Sequence, residues 1–269
     1  MGATNTKESD RQIEEETRRK YSGAAYKPDT IMRRSGPDSD YFNRIAKLKI
    51  ALVRENAKGR RVLDLCCATA DHLFAIADLP RMGVGLDFSL PFLKHAVSRL
   101  REQRFPAGLG FICGNARRLP FANASFGLVY SFSSLYYVPR VGESLAEIGR
   151  VLEPGGIAIL DLGNLWSLNT FVSRSYAETS APFHLSPARM KRMIAAAGLQ
   201  ILEHRVFQIL PLWGNRPRWL RPLLHPFWKR LMEKTLGGRM IDEWLCRLPG
   251  VRSLAFRHLF VCRRKGGTP

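Results

Sequence analysis

The sequence predicts an α/β fold: a doubly wound, mostly parallel sheet of seven strands with helices on both faces. Three observations carry this. Short apolar runs alternate with amphipathic helical stretches, as strands joined by right-handed crossovers do. Val62-Leu63-Asp64-Leu65 is apolar except for one acid, as a buried parallel strand reads when its end faces a ligand. Polar residues, namely Asp64, Asp87, Asn115 and Ser131, fall at or near the carboxyl ends of predicted strands, where ligands bind in such sheets.

The elements follow in order. Residues 1–20 are polar and charged, the composition of a tail or a loosely held helix, and Tyr21 to Ser39 is rich in Gly, Pro, Ser and Arg and predicts irregular chain. Ile45, Leu48, Ala51 and Leu52 are spaced for an amphipathic helix over Tyr41–Asn56. The first strand runs into the small residues Cys66, Cys67, Ala68, Thr69 and Ala70, and a helix is expected over Asp71–Leu79. Gly83-Val84-Gly85-Leu86-Asp87 is a second strand, ending in an acid 23 residues after Asp64, a spacing suited to ribose hydroxyls. Ser89 and Pro91 open a helix over Leu90–Gln103. Strands follow at Gly110–Cys113, Ser125–Ser131 and Ile157–Leu162, with a turn at Ser133–Pro139, a helix over Glu143–Leu152 and a turn at Glu153–Gly156. Asn164–Phe183 reads as a substrate loop carrying Trp166, Asn169, Arg174 and Tyr176. A helix over Ser186–Ala197, a sixth strand over Leu199–Leu210 and a last strand over Ser253–Arg263 complete the pattern.

Between the last two strands lies a basic insert at about 211–250. Leu223, Leu224, Phe227, Trp228, Leu231, Met232 and Leu236 are expected on one helical face, with tryptophans and arginines interleaved. Such a face suits a membrane interface or an acyl-chain substrate, and equally a helix packed on its own domain.

A chain of 269 residues buries a full core. Its net charge is +19, and the last 70 residues hold 14 Lys/Arg against 4 Asp/Glu. That bias points to an anionic partner: a phosphorylated substrate, acidic lipid headgroups or nucleic acid. No apolar run reaches the roughly 18 residues of a membrane span, and the N-terminal stretch lacks the apolar core of a secretory signal. The five cysteines have no metal-like spacing, so no metal site is expected and a reducing cytoplasm is the simplest setting.

From the first two strands onward, about Tyr41 to Gly163, the chain resembles the class I S-adenosylmethionine-dependent methyltransferases of the type 11 group, most of all the branch containing the quinone-biosynthesis enzymes. Gly114-Asn115-Ala116…Leu119-Pro120-Phe121 and Glu147-Ile148-Gly149-Arg150-Val151-Leu152-Glu153-Pro154-Gly155-Gly156 carry the likeness further, the second through an architectural turn. The resemblance implies a Rossmann-like methyltransferase domain over 41–269, with residues 1–40 a tail and lid in which Tyr21, Tyr26 and Arg33 would fold over the cofactor. It departs at the cofactor loop: the family's three glycines are replaced here by Cys66, Ala68 and Ala70, which keep close approach while losing glycine's freedom at positive φ.

The resemblance implies S-adenosyl-L-methionine as cofactor. Asp64 and the Cys66-Cys67-Ala68 loop would hold its amino-acid part, Asp87 the ribose and Phe88 the adenine face. Asn115, in place of the family's Asp, and Ala116 would read the adenine edge, with Ser131 nearby at its strand end. His184, Tyr136 and Tyr137 are the candidates facing the acceptor. Three functions compete: a methyltransferase for a small-molecule or lipid-linked acceptor, a non-catalytic relative that has lost the cofactor, and an RNA methyltransferase. The last is disfavoured because no RNA-binding module is recognisable. The expected setting is cytoplasmic, peripheral to an anionic membrane surface.

Overall fold

The computed structural model describes residues 12–13, 15–19, 39–103, 105–175, 183–211 and 218–266. Tyr21, Tyr26, Arg33 and Tyr176 lie outside the described residues.

Every residue of β1 (Arg61–Leu65) after Arg61 is buried, which an apolar strand achieves only at the middle of a sheet covered on both faces. It pairs in parallel with β2 (Met82–Asp87) on one side and β4 (Phe126–Ser131) on the other. β3 (Leu109–Cys113) extends the sheet beyond β2, and β5 (Leu152–Gly163) extends it beyond β4. β9 (Arg257–Arg264) then runs antiparallel between β5 and β6 (Leu199–Phe207). The order is β3-β2-β1-β4-β5-β9-β6, so the chain reverses direction across the sheet between β1 and β4. A crevice opens at that reversal, at the carboxyl ends of the strands.

The strand period of two deals side chains to two apolar layers. Val62, Leu128, Tyr130, Ile157 and Ile159 face the layer of α1 (Ser39–Ala57), α2 (Asp71–Phe74) and α3 (Leu90–Glu102). Leu63, Leu65, Val129, Ala158 and Leu160 face the layer of α4 (Val141–Val151) and α6 (Pro187–Ala196). Each buried Val, Leu or Ile among these stabilises the fold by about 1.5–3 kcal/mol. The expected doubly wound, mostly parallel, seven-stranded sheet is the one found.

Four local expectations are corrected. The helix after the Cys66–Ala70 turn is one turn, not nine residues, because hydrogen bonds from Ile76, Ala77 and Leu79 reach back three residues and tighten the chain before Pro80. Glu153–Gly156 is the bulged start of β5, since Leu152 opposes Phe126 while Ile157 opposes Leu128, and Gly155 takes φ 76° to close it. The Asn164–Phe183 stretch contains a helix, α5 (Leu168–Arg174), and its Asn169 is buried against Gln208, which donates to it at 2.8 Å. The single apolar face of the insert is divided: a 3₁₀ helix (Arg218–Leu224) stops at His225, and Pro226 starts α7 (Pro226–Glu233). Leu220, Leu224 and Met232 turn inward, whereas Phe227 and Leu236 are exposed. A ribbon of β7 (Thr235–Leu236) and β8 (Arg239–Met240), turning at Gly237-Gly238, leads to α8 (Ile241–Leu245) and α9 (Pro249–Arg252).

Gly149 lies within α4, where an added Cβ would collide with the backbone carbonyl of Ala197 at the end of α6. Gly149→Ala should therefore lower stability in urea by about 1–3 kcal/mol, the usual penalty of an overpacked contact. Gly250→Ala in α9, where an added methyl meets open space, should be neutral or slightly stabilising.

Candidate active site

The turn after β1 holds its backbone where L-residues rarely go. Cys66, Ala68 and Ala70 have φ of 60°, 47° and 61°. Those are the three positions at which glycine was expected, so the expectation that small substitutes abandon positive φ is overturned. Each left-handed L-residue costs roughly 1–2 kcal/mol, and surrounding bonds must hold it. Asp87 at the end of β2 supplies them: its Oδ2 accepts from the Ala68 amide at 2.9 Å and its Oδ1 from the Ser89 amide at 2.8 Å. The Cys67 amide donates to the Leu86 carbonyl, and Arg99 from α3 donates to the Thr69 carbonyl and to Asp71. Gly85 in β2 leaves room for the Cys67 thiol, which an added Cβ would meet at 2.8 Å.

Asp64 is buried beneath this loop. Its carboxyl faces the Tyr130 hydroxyl across the paired strands β1 and β4, and Ser131 is fully buried at the end of β4. Burial raises the Asp64 carboxyl to a pKa of about 8, against the lowering effect of the neighbouring Tyr130 hydroxyl. Burial also raises Asp87, opposed by the amides it accepts from, and pushes the Cys66 and Cys67 thiols well above the usual range, so neither is a ready thiolate.

The loop opens on a cavity of about 690 Å³. Cys66, Cys67, Ala68, Asp87, Phe88, Asn115 and Ala116 all line it, so the structure brings together most of the residues nominated for the cofactor. Asp64 and Ser131 stand behind the wall. The Asn115 side-chain oxygen accepts from the Arg117 amide at 2.9 Å, which fixes the amide at the cavity wall.

Tyr136 and Tyr137 line the cavity, but His184 does not. His184 is buried behind Tyr136, packed edge-on against that ring and against Phe256, with Nδ1 at 2.6 Å from the Thr170 hydroxyl. Burial, more than the nearby Arg174 and Arg257, depresses its pKa to about 4. It braces Tyr136 rather than meeting an acceptor, and its nomination is corrected.

A second group at the cavity was not anticipated. Lys49 of α1 and Arg257 of β9 both bond Oδ2 of the fully buried Asp161 in β5, at 2.5 and 2.7 Å. Both also donate to the Ser133 hydroxyl, at 3.1 and 2.7 Å. Burial works to raise the Asp161 pKa, but the two cations outweigh it and hold the carboxylate ionised. Burial lowers Lys49 to about 8 and, with Lys49 nearby, His72 to about 4. The lone acid in the apolar run Ile157–Leu162 was the available signal, since it repeats the Val-Leu-Asp-Leu pattern of β1. Glu15, Thr17 and Arg18, in a stretch read as tail, also line the cavity.

Residues 63–160 match the methyltransferase domain family. In that stretch and in its sheet the chain is similar to the class I methyltransferases. The demethylmenaquinone methyltransferase of Lactiplantibacillus plantarum is 40% identical over 102 residues, which cover 37% of this chain and 43% of that protein. The demethylmenaquinone methyltransferase of Listeria welshimeri is 34% identical over 143 residues, covering 49% and 60%. The matched stretches thus span about half the length of these curated relatives. Among solved structures, the YcgJ protein of Bacillus subtilis aligns with a TM-score of 0.59 at 17% identity, covering 84% of this chain and 100% of that one. An S-adenosylmethionine dependent methyltransferase from Mesorhizobium loti gives 0.56 at 16%, covering 81% and 98%. The 4+2 cyclase SpnF gives 0.57 at 19%, covering 85% and 82%. At these identities the likeness is one of fold, and the cyclase illustrates that methyltransferase-like folds also carry other chemistry.

Two outcomes test the site. Ala68→Gly should relieve the left-handed strain and raise stability by up to about 1 kcal/mol in urea denaturation, and Ala68→Val should lower it by more than that. The second concerns pH. His72, His184 and His258, lowered to about 4, and His204, lowered to about 3, are neutral when folded and gain protons on unfolding. The unfolded chain binds more protons below pH 6.5, so stability rises with pH over that range. Asp64 acts oppositely: folded it keeps a proton up to about pH 8 that the unfolded chain releases near pH 3.8, so its contribution falls as pH rises between them. The histidines dominate below pH 6.5 and Asp64 above it. Stability should peak near pH 6.5, and Asp64→Asn should flatten the alkaline limb.

Proposed function

We propose that this chain transfers a methyl group from S-adenosylmethionine to a small organic acceptor held in the same cavity. The observation that carries the reading is the Asp87 carboxylate at the tip of β2, bonded to the loop amide of Ala68 while lining a cavity of about 690 Å³. That volume lies in the usual range for small-molecule sites. The chain's residues fit the cofactor. The left-handed turn at Cys66 and Ala68, which lines the cavity, offers closely approached backbone to an amino-acid group. Asp87 retains lone pairs for ribose hydroxyls, Phe88 offers a face to the adenine, and Asn115 with Ala116 offers an edge.

When bound, the cofactor supplies a sulfonium-activated methyl group. The protein's part is to align the acceptor, exclude water and hold protons where they are needed. Tyr136 and Tyr137 flank the acceptor space. Tyr136 is positioned by His184 and Phe256 and kept protonated by burial, so it donates rather than abstracts a proton. The acceptor of the demethylmenaquinone relatives makes a ring-bearing substrate the natural first choice.

Calorimetric titration with S-adenosylmethionine and S-adenosylhomocysteine tests this. Micromolar binding is expected, with Asp87→Asn weakening it at least tenfold; a folded wild-type protein that binds neither at millimolar concentration would return the chain to a non-catalytic role.

The acceptor, in our reading, is reached from an anionic membrane surface on the cytoplasmic side. Trp219, 65% exposed, Phe227, 58%, and Leu236, 70%, project from the insert, whose flanking side chains are basic. No helix among the described residues is long and apolar enough to cross a membrane. Vesicles containing phosphatidylglycerol should sediment the protein and pure phosphatidylcholine should not, with the Trp219→Glu/Phe227→Glu variant losing most binding. Salt-sensitive binding to RNA in preference to vesicles would overturn the membrane assignment.

A further inference from the structure

The buried cluster of Lys49, Asp161, Arg257 and Ser133 does more than hold β5 to β9 and α1. One carboxylate between one cation on each side would leave a surplus positive charge, and here that surplus faces the cavity: Lys49, Ser133 and Arg257 line it, and Asp161 does not. Both cations bond the same oxygen of Asp161, and its other oxygen, buried, has no partner among the described residues. The remaining acids on the cavity wall are engaged or remote from burial. Asp71 is paired with Arg99, Asp87 is bonded to loop amides, and Glu15 is exposed. Arg257 commits Nε to Gln208 and Nη1 to Ser133 and Asp161, which leaves Nη2 as the nitrogen able to meet a ligand. A buried net charge of this sign is unfavourable unless a counter-charge joins it.

The wall beside the cluster is aromatic. Lys49 Nζ stands 5.1 Å from the centre of the Phe132 ring, and Tyr136 and Tyr137, whose ring centres are 4.7 Å apart, follow in the short 3₁₀ helix Leu135–Tyr137. His72, which packs on Phe132 at 5.1 Å, adds a fourth ring to the lining.

We infer that Lys49 and Arg257, bridged by Ser133, seat an ionised oxygen of the acceptor, which makes the substrate an acidic ring compound carrying a carboxylate or an ionised hydroxyl. This rests on the acceptor and the cofactor sharing one cavity, as proposed above. In the transfer step a lone pair on the acceptor forms the new bond to the methyl carbon as the carbon–sulfur bond breaks, its electron pair returning to sulfur. The seat holds the acceptor's negative charge before that step, and no oxidant or reductant is required.

The test uses simple probes on the full chain. Binding of 2-naphthoate and of its neutral isostere 2-naphthamide is measured by calorimetry at pH 7, with and without S-adenosylhomocysteine, and 4-nitrophenol, an acidic phenol that ionises near neutral pH, is titrated between about pH 6 and 7.5, where Lys49 keeps its proton, to separate an ionised hydroxyl from a carboxylate. Wild type should bind 2-naphthoate at least tenfold more tightly than 2-naphthamide. In Lys49→Met, where Arg257 still neutralises Asp161, the preference should fall below about threefold while S-adenosylhomocysteine affinity is unchanged. Arg257→Met serves if the first variant does not fold. Equal binding of the two probes by wild type, or a preference that survives in the folded variant, would overturn the assignment. Failure of S-adenosylhomocysteine to bind while the anion preference holds would instead count against the cofactor reading and leave the seat standing.

Discussion

The Asp87 carboxylate, with one oxygen on the Ala68 amide and the other on the Ser89 amide, is the constraint from which the site is built. It ties the end of β2 to the turn after β1 and to the start of α3 in a single pair of charge-assisted bonds, each stronger than a neutral one. Because β1 and β2 are locked in parallel register from Arg61 to Leu65, the carboxylate cannot move away from the loop without disturbing the sheet. The loop's three left-handed residues persist for that reason, and the cavity takes its shape from them.

Two acids occupy matching places in the inner strands and are treated oppositely. Asp64 in β1 is buried among other carboxyls and raised to about 8, whereas Asp161 in β5 is clamped by two cations and lowered. A neutral carboxyl and an ionised one thus flank the reversal point of the sheet. Environments that push two titratable groups apart mark sites where charge is to be handled at neutral pH.

Much of this was legible in the residues. Strands buried on both faces announce themselves by apolar continuity, and polar residues at their carboxyl ends mark the crevice, which places Asp87 and Asn115 beside it; Phe88 and the role of the loop come from the family resemblance alone. Lys49, Asp161 and Arg257 were not legible, because they are far apart in the chain and meet only across three elements; a lysine in an amphipathic helix reads as solvated until the sheet closes over it. His184 misled for the converse reason. A histidine just before a helix looks like a loop residue, and only packing shows Tyr136 standing between it and the cavity. In the insert, apolar spacing suggested one continuous face, but Pro226 restarts the helix, a break that periodicity does not register.

Replacing glycine by cysteine and alanine at left-handed positions changes when the loop becomes ordered. A glycine-rich turn has many accessible conformations, and a ligand that needs one of them bears the entropy of selecting it. Alanine and cysteine narrow the unfolded chain's choices, so the ordering is completed when the protein folds, at the expense of strain held by Asp87. The pocket wall is therefore pre-organised: it favours fast, rigid capture of a ligand that already matches it, and it leaves little room to adapt to one that does not.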